Sequence, residues 1–110
     1  MGKPLKMTRS ESIEKISSTL KLIPEAEVYL YGSSARGDYR DDSDIDILIL
    51  LPDTLSIQER IHYEGEIAGM LWPIELESGI EIFPVVMQQK NWKSHKTPFK
   101  VNVTNDRIPL

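Results

Sequence analysis

Two aspartates, Asp44 and Asp46, stand at the head of an apolar run that continues to Leu51. Ten residues earlier lies a small-residue turn, Gly32-Ser33-Ser34. On a strand, side chains two apart share a face and begin about 6.6 Å apart, at ~3.3 Å rise per residue. Carboxylates at that separation can lean together and share a pair of divalent ions about 3.5–4 Å apart. The segment Asp38 to Asp46 holds five Asp and one Arg. An ionised carboxylate next to a core strand is costly unless something compensates its charge. A hard dication with oxygen ligands would do so, and Mg²⁺ typically takes one or two carboxylates plus substrate phosphates. Gly32-Ser33-Ser34 offers backbone N–H groups and hydroxyls without bulk. A helix starting there would turn those N–H groups toward an anion such as a nucleotide phosphate. A lone Asp-x-Asp more often marks a solvated strand end. Here the pair is set between a Gly-Ser turn and a run in which Asp46 is the sole polar residue from Ile45 to Leu50.

The elements that must position these groups follow from periodicity and punctuation. Thr8-Arg9-Ser10-Glu11 has the spacing of a capping box, and Ile13, Ile16, Leu20 and Ile23 follow at helical intervals. The spacing predicts a first helix from Arg9 to Leu22, stopped by Pro24. Val28 to Tyr31 reads as a short central strand, and Ile45 to Leu51 as a second strand ended by Pro52-Asp53. Alternation sets Ile45, Ile47 and Ile49 on the face opposite Asp44 and Asp46. Thr54 or Ser56 can cap a second long helix. Its stripe is Ile57, Ile61, Glu64, Ala68 and Leu71, with Ile67 beside it. Gly65 and Gly69 weaken it and allow close packing on the sheet or on a partner. Trp72-Pro73 is expected to kink or interrupt this helix, and Ser78-Gly79 to end it. His62 reads as a surface residue. A third strand is expected from Ile80 to Val86, with Pro84 suggesting an edge or a strand end. Gln88 to Lys96 reads as a short helix carrying Trp92, and an irregular end is expected from Thr97. Trp92 and Phe99 read as anchors over the core rather than base-stacking residues.

Length and composition narrow the class. A chain of 110 residues accommodates one domain, 1–110, with one modest core. No cysteine is present, which removes disulfide and thiolate chemistry. No apolar run approaches the ~18 residues of a membrane span. Lys3 and Lys6 are followed by no apolar core, so no export signal is expected and a cytoplasmic location is. Net charge is −4 and unevenly spread. Residues 1–87 carry eight basic and sixteen acidic groups, whereas residues 88–110 carry Lys90, Lys93, Lys96, Lys100 and Arg107 against Asp106 alone. An acidic chain is not a default nucleic-acid binder, although the basic tail could meet triphosphate, RNA or an acidic partner.

The string Gly32-Ser33-Ser34-Ala35-Arg36-Gly37-Asp38, followed by Ser43-Asp44-Ile45-Asp46-Ile47-Leu48, resembles the signature of the DNA polymerase β-like nucleotidyltransferases, in particular their minimal nucleotidyltransferase branch. The resemblance implies an α/β (α+β) fold, with a small mixed sheet of three to four strands flanked by helices. It implies catalytic and metal-binding roles for Asp44 and Asp46, with two Mg²⁺ ions and ATP as donor. It implies nucleotide binding at Gly32, Ser33, Ser34 and Arg36; Arg36 either approaches phosphate or structures the loop by pairing with an Asp. Relatives often carry a third carboxylate on a later strand. By order that residue is Glu81, as metal ligand or general base; otherwise Glu81 is an exposed strand residue.

Members of this branch are commonly paired with an all-helical HEPT-type toxin, and the nucleotidyltransferase, acting as antitoxin, adds AMP to a tyrosine of the toxin. That activity is what the resemblance implies here. Two alternatives stand beside it. One is a non-catalytic, nucleotide-binding antitoxin or regulatory subunit that neutralises a partner by contact. The other is a nucleotidyltransferase for RNA or a small molecule, assembled as a homo-oligomer.

Overall fold

The computed structural model describes residues 6–110. The expectation about an export signal rests partly on Lys3 and lies outside the described residues. The elements run α1 (Arg9–Leu20), β1 (Glu27–Tyr31), α2 (Gly32–Arg36), β2 (Ile45–Leu51), α3 (Ile57–Ser78), β3 (Ile82–Gln88), α4 (Gln89–Ser94), α5 (Pro98–Asp106) and β4 (Ile108–Pro109). The four strands form one mixed sheet in the order β3-β2-β1-β4. β1 is antiparallel to β2 and β4, and β2 is parallel to β3. No helix among the described residues is long and apolar enough to cross a membrane.

Local sequence sets the helix starts. Thr8 accepts from the Glu11 N–H at 3.1 Å and Glu11 accepts from the Thr8 N–H at 3.1 Å, the reciprocal pair expected of a capping box. Ser56 and Glu59 repeat the device at α3. Gly37 and Gly79 end α2 and α3 in the left-handed region, where a side chain is disfavoured.

Alternation along β2 divides the molecule into two layers. Ile45, Ile47, Ile49 and Leu51 join Val28 and Leu30 under α1 and α3, with Ile16, Leu20, Ile67, Leu71 and Ile74. Leu48 and Leu50 face the other way, with Tyr31, Trp92 and Val103 under α4 and α5. Asp46 belongs by alternation to this second face.

Four features differ from the sequence expectation. The third strand begins at Ile82 rather than Ile80, which leaves Glu81 outside it. The segment after Thr97 is ordered: Thr97 caps α5, Val103 is buried, and β4 pairs with β1. α5 has no continuous apolar stripe, so periodicity gives it no signal. α3 runs unbroken through Pro73. Pro73 and Gly69 are both exposed, so the carbonyl that loses its N–H partner faces water. Finally, α3 buries Ile67, Leu71, Ile74 and Ser78, while Ile57, Ile61 and Ala68 face solvent. α1 and the sheet extend under only its C-terminal half.

Leu71 and Leu22 are both leucines within or beside helices, yet Leu71 is buried and Leu22 exposed. Leu71→Ala is expected to cost about 2–5 kcal/mol, and Leu22→Ala to stay within about 0.5 kcal/mol, as read by urea unfolding.

Candidate nucleotidyltransferase site

The site grows out of one antiparallel pairing. Tyr31, the last residue of β1, lies opposite Asp46 on β2. The next residue, Gly32, turns away with φ +71°. A Cβ placed on Gly32 would run into Asp46 Oδ2 and stand 3.3 Å from its Cγ. Glycine is therefore required twice, by its backbone angle and by the carboxylate packed against it. The chain then makes the single turn and a half of α2, in which Gly32 to Ala35 are half-buried.

Asp44 is exposed immediately before β2, and Asp46 is half-buried within it. Both fall on the face carrying Leu48 and Leu50, as alternation predicts. Burial pushes the Asp46 carboxyl above its ordinary pKa, the Asp44 charge pushes it further, and Arg36 opposes the rise. Among the described residues no Lys, Arg or His forms an ion pair with either aspartate. A half-buried carboxylate destabilised in its charged form, with a second carboxylate on the same face, is the donor set of a hard-cation site. The two aspartates thus fit Mg²⁺ shared with substrate phosphates.

Glu81 lies level with Asp44, since Ile82 is the register partner of Ile45. Its carbonyl accepts from the Ile45 N–H at 2.8 Å, while the residue itself is exposed. Among the described residues no three His, Cys, Asp or Glu converge into a metal-holding group. The β3 position beside Asp46 is taken by Phe83, an exposed aromatic.

The basic groups near the site serve its loops. Arg36 Nε donates to Asp38 at 3.1 Å, and its Nη1 donates to Asp106 at 2.7 Å. That second bond ties α2 to the end of α5. Arg9, at the start of α1, was read from sequence only as part of a cap. Its Nη1 donates to Ser34 Oγ at 3.0 Å, and its Nη2 donates to the carbonyls of Ser43 at 2.7 Å and Arg40 at 3.2 Å. Its guanidinium also lies 4.5 Å from the centre of the Tyr39 ring. Arg9 therefore fastens the acidic loop that presents Asp44 to the turn that faces Asp46. No spacing rule links residue 9 to residues 34–43. Tyr31 was also unrecognised as a site residue. Burial and then the Asp46 charge push its phenol up to about 12, and its ring meets Phe99 edge-on at 5.7 Å.

The chain belongs to the nucleotidyltransferase domain family, whose match spans residues 10–107. It is 35% identical over 78 residues to MJ0141 of Methanocaldococcus jannaschii, which carries the provisional name of a protein adenylyltransferase; the match covers 71% of each chain. It is 40% identical over 55 residues to the bifunctional uridylyltransferase/uridylyl-removing enzyme of Psychrobacter sp. (strain PRwf-1), covering 50% of this chain but only 6% of that enzyme. Among solved structures, a mutant form of the toxin–antitoxin MntA–HpeT superposes with TM-score 0.54 at 27% identity, over 89% of this chain and 70% of the other. A toxin–antitoxin solved with AMP-PNP superposes with TM-score 0.50 at 26% identity, over 87% of this chain and 69% of the other. The protein is thus a nucleotidyltransferase, with adenylyltransferase-like relatives.

Two measurements probe the site without substrate. A carboxyl whose folded pKa lies above its unfolded value takes up a proton on folding. Without a cation, Asp46 therefore lowers stability as pH rises from the unfolded value through the folded one, and its penalty is complete above that window. Asp46→Asn should accordingly raise Tm at pH 7 in the absence of divalent ions, with the gain disappearing as pH falls to the ordinary carboxylate range; calorimetry across pH checks both. Arg9→Ala should speed amide hydrogen exchange over residues 38–44 by about tenfold, with α1 itself still protected.

Proposed function

We propose that this chain transfers AMP from ATP to a hydroxyl acceptor, a tyrosine of a helical toxin, and so serves as the antitoxin of the pair. The observation that carries the reading is the apposition of Gly32 and Asp46, with Asp44 on the same sheet face. That geometry sets a small-residue turn against two carboxylates, one apt for phosphate and the other for a cation. The names of the relatives supply the adenylyl group and the toxin.

In this reading the triphosphate lies over Gly32, Ser33 and Ser34, whose own side chains are no larger than a hydroxymethyl. Asp44 and Asp46 would hold two Mg²⁺ ions. Bound there, the metal would supply charge neutralisation for the phosphates and a lowered pKa for the acceptor hydroxyl. The acceptor oxygen attacks the α-phosphorus, a new O–P bond forms, and the bond to the bridging oxygen breaks so that pyrophosphate leaves. The hydroxyl proton departs to water at the exposed end of the site. Arg36 holds its place through Asp38 and Asp106 and adds positive field beside Asp46. Arg9 keeps Asp44 in position.

The second reading, a nucleotide-binding antitoxin that acts by contact, is favoured by one observation: Glu81 is exposed, and among the described residues no third ligand converges with the two aspartates.

Labelled ATP, Mg²⁺ and the purified toxin partner separate the two. Label is expected on a toxin tyrosine, and Asp44→Asn or Asp46→Asn is expected to lower the rate by on the order of 10²–10³-fold or more. Toxin neutralised without any label would replace transfer by contact. Glu81→Gln is expected to cost less than about tenfold; a loss matching the aspartate variants would make Glu81 the third ligand.

A further inference from the structure

The outer face of α3 carries a stripe that the fold leaves uncovered. Ile57, Ile61, Trp72 and Leu76 are 68%, 59%, 58% and 65% exposed. At ~100° per residue these four, with Gly65, Ala68 and Gly69 between them, fall within about 120° of the helix circumference. The stripe turns away from Ile67, Leu71 and Ile74, which face the core. At Gly65 and Gly69 an added Cβ would meet nothing within 4 Å. Residues 57–66 contain no fully buried residue, and of their apolar side chains only Tyr63 packs against the core. The four large side chains expose on the order of 500 Å², at about 200 Å² for each when fully exposed. That is at the upper end of what a monomer leaves bare.

The geometry points to a second copy of this chain as the occupant, docked antiparallel across a two-fold axis. The stripe has nearly the same spacing in both directions. Reversing the helix sets Ile57 level with Leu76 of the second copy, Ile61 with its Trp72, and Gly65 with its Ala68. Bulky residues then meet at the two ends, and small ones at the centre let the backbones approach. Such an interface is isologous and closes at two copies. Arg60 falls on the core-facing side of α3, with its Nε buried within its own chain. Glu64 and Glu75 border one edge of the stripe, so the two-fold brings acidic side chains of the two copies to the same edge, and the apolar contacts must outweigh that repulsion. A standard interface needs about 800 Å² per partner. The four apolar side chains supply more than half, and Gln58, Glu64, Ala68 and Glu75 adjoin them. α3 covers the sheet face opposite Asp46, so both nucleotidyltransferase sites remain open in the pair.

The test uses the full chain alone. Sedimentation should show a dimer at about 100 μM, and Trp72→Glu or Ile61→Glu should weaken it at least thirtyfold or so, the scale of losing an interface anchor. Both positions are exposed, so unchanged circular dichroism and Tm of the dissociated chain confirm that only association is lost. Because the chain has no cysteine, register can be read by oxidation. An equimolar mixture of Ile61→Cys and Trp72→Cys chains should give a covalent dimer in greater yield than either chain alone. A monomer at that concentration, a dimer indifferent to both glutamate substitutions, or a mixture no better cross-linked than the single variants would overturn the proposal. So would a monomeric chain whose stripe binds only a helical protein partner.

Discussion

The structure depends on holding one carboxylate where it is partly removed from water and, among the described residues, has no ion-pair partner. Asp46 projects from a central strand, toward the backbone of Gly32 rather than toward a cation. This contact needs the antiparallel register that sets Tyr31 opposite Asp46, a left-handed residue immediately afterwards, and no side chain at that residue. It also needs the loop between α2 and β2 to stay close while carrying four further aspartates. Arg9 of α1 and Arg36 of α2 provide that closeness, Arg36 being held in turn by Asp106 of α5. Two helices distant in sequence therefore converge on a loop whose own charges would otherwise spread it.

The two faces of the sheet divide the labour. Under α1 and α3 lies the larger apolar layer, built from every second residue of β2 and from the inner stripes of the two helices. The opposite face is covered by α4 and α5, under which Val85 and Met87 of β3 also pack. Phe83 on the edge strand remains open beside Asp46, so the carboxylates are reached from the β3 side of the sheet. The outer stripe of α3 lies on the other side of the molecule. Contacts made there do not obstruct the carboxylates.

Legibility in the sequence followed the range of the forces involved. The capping boxes at Thr8 and Ser56 act over three residues, and the alternation of β2 over two, so both were readable. The Gly-Ser turn and Asp-x-Asp pair were readable because few other arrangements tolerate those types in that order. What escaped notice depended on distant partners. Arg9 looked like a cap residue, and its role exists only once α1 packs beside the acidic loop. α5 has too irregular an apolar pattern to announce itself, and Thr97 with Val103 fixes it. The stripe of α3 was seen, but periodicity alone does not say which of two apolar stripes meets the core. The supporting surface under the C-terminal half of the helix chose Ile67, Leu71 and Ile74. Glu81 was placed on a strand by its apolar neighbours, whereas the pairing of β3 begins one residue later.

Tyr31 has a consequence of its own. Its phenol belongs to the residue set opposite Asp46 across the β1–β2 pairing. Burial and the neighbouring negative charge keep that phenol protonated up to about pH 12, and an edge-on contact with Phe99 restrains the ring. A protonated, immobilised phenol is a poor nucleophile. The Asp46 charge that disfavours the phenolate is the same charge that a bound cation would neutralise, so the acidity of Tyr31 is coupled to whatever occupies the carboxylates.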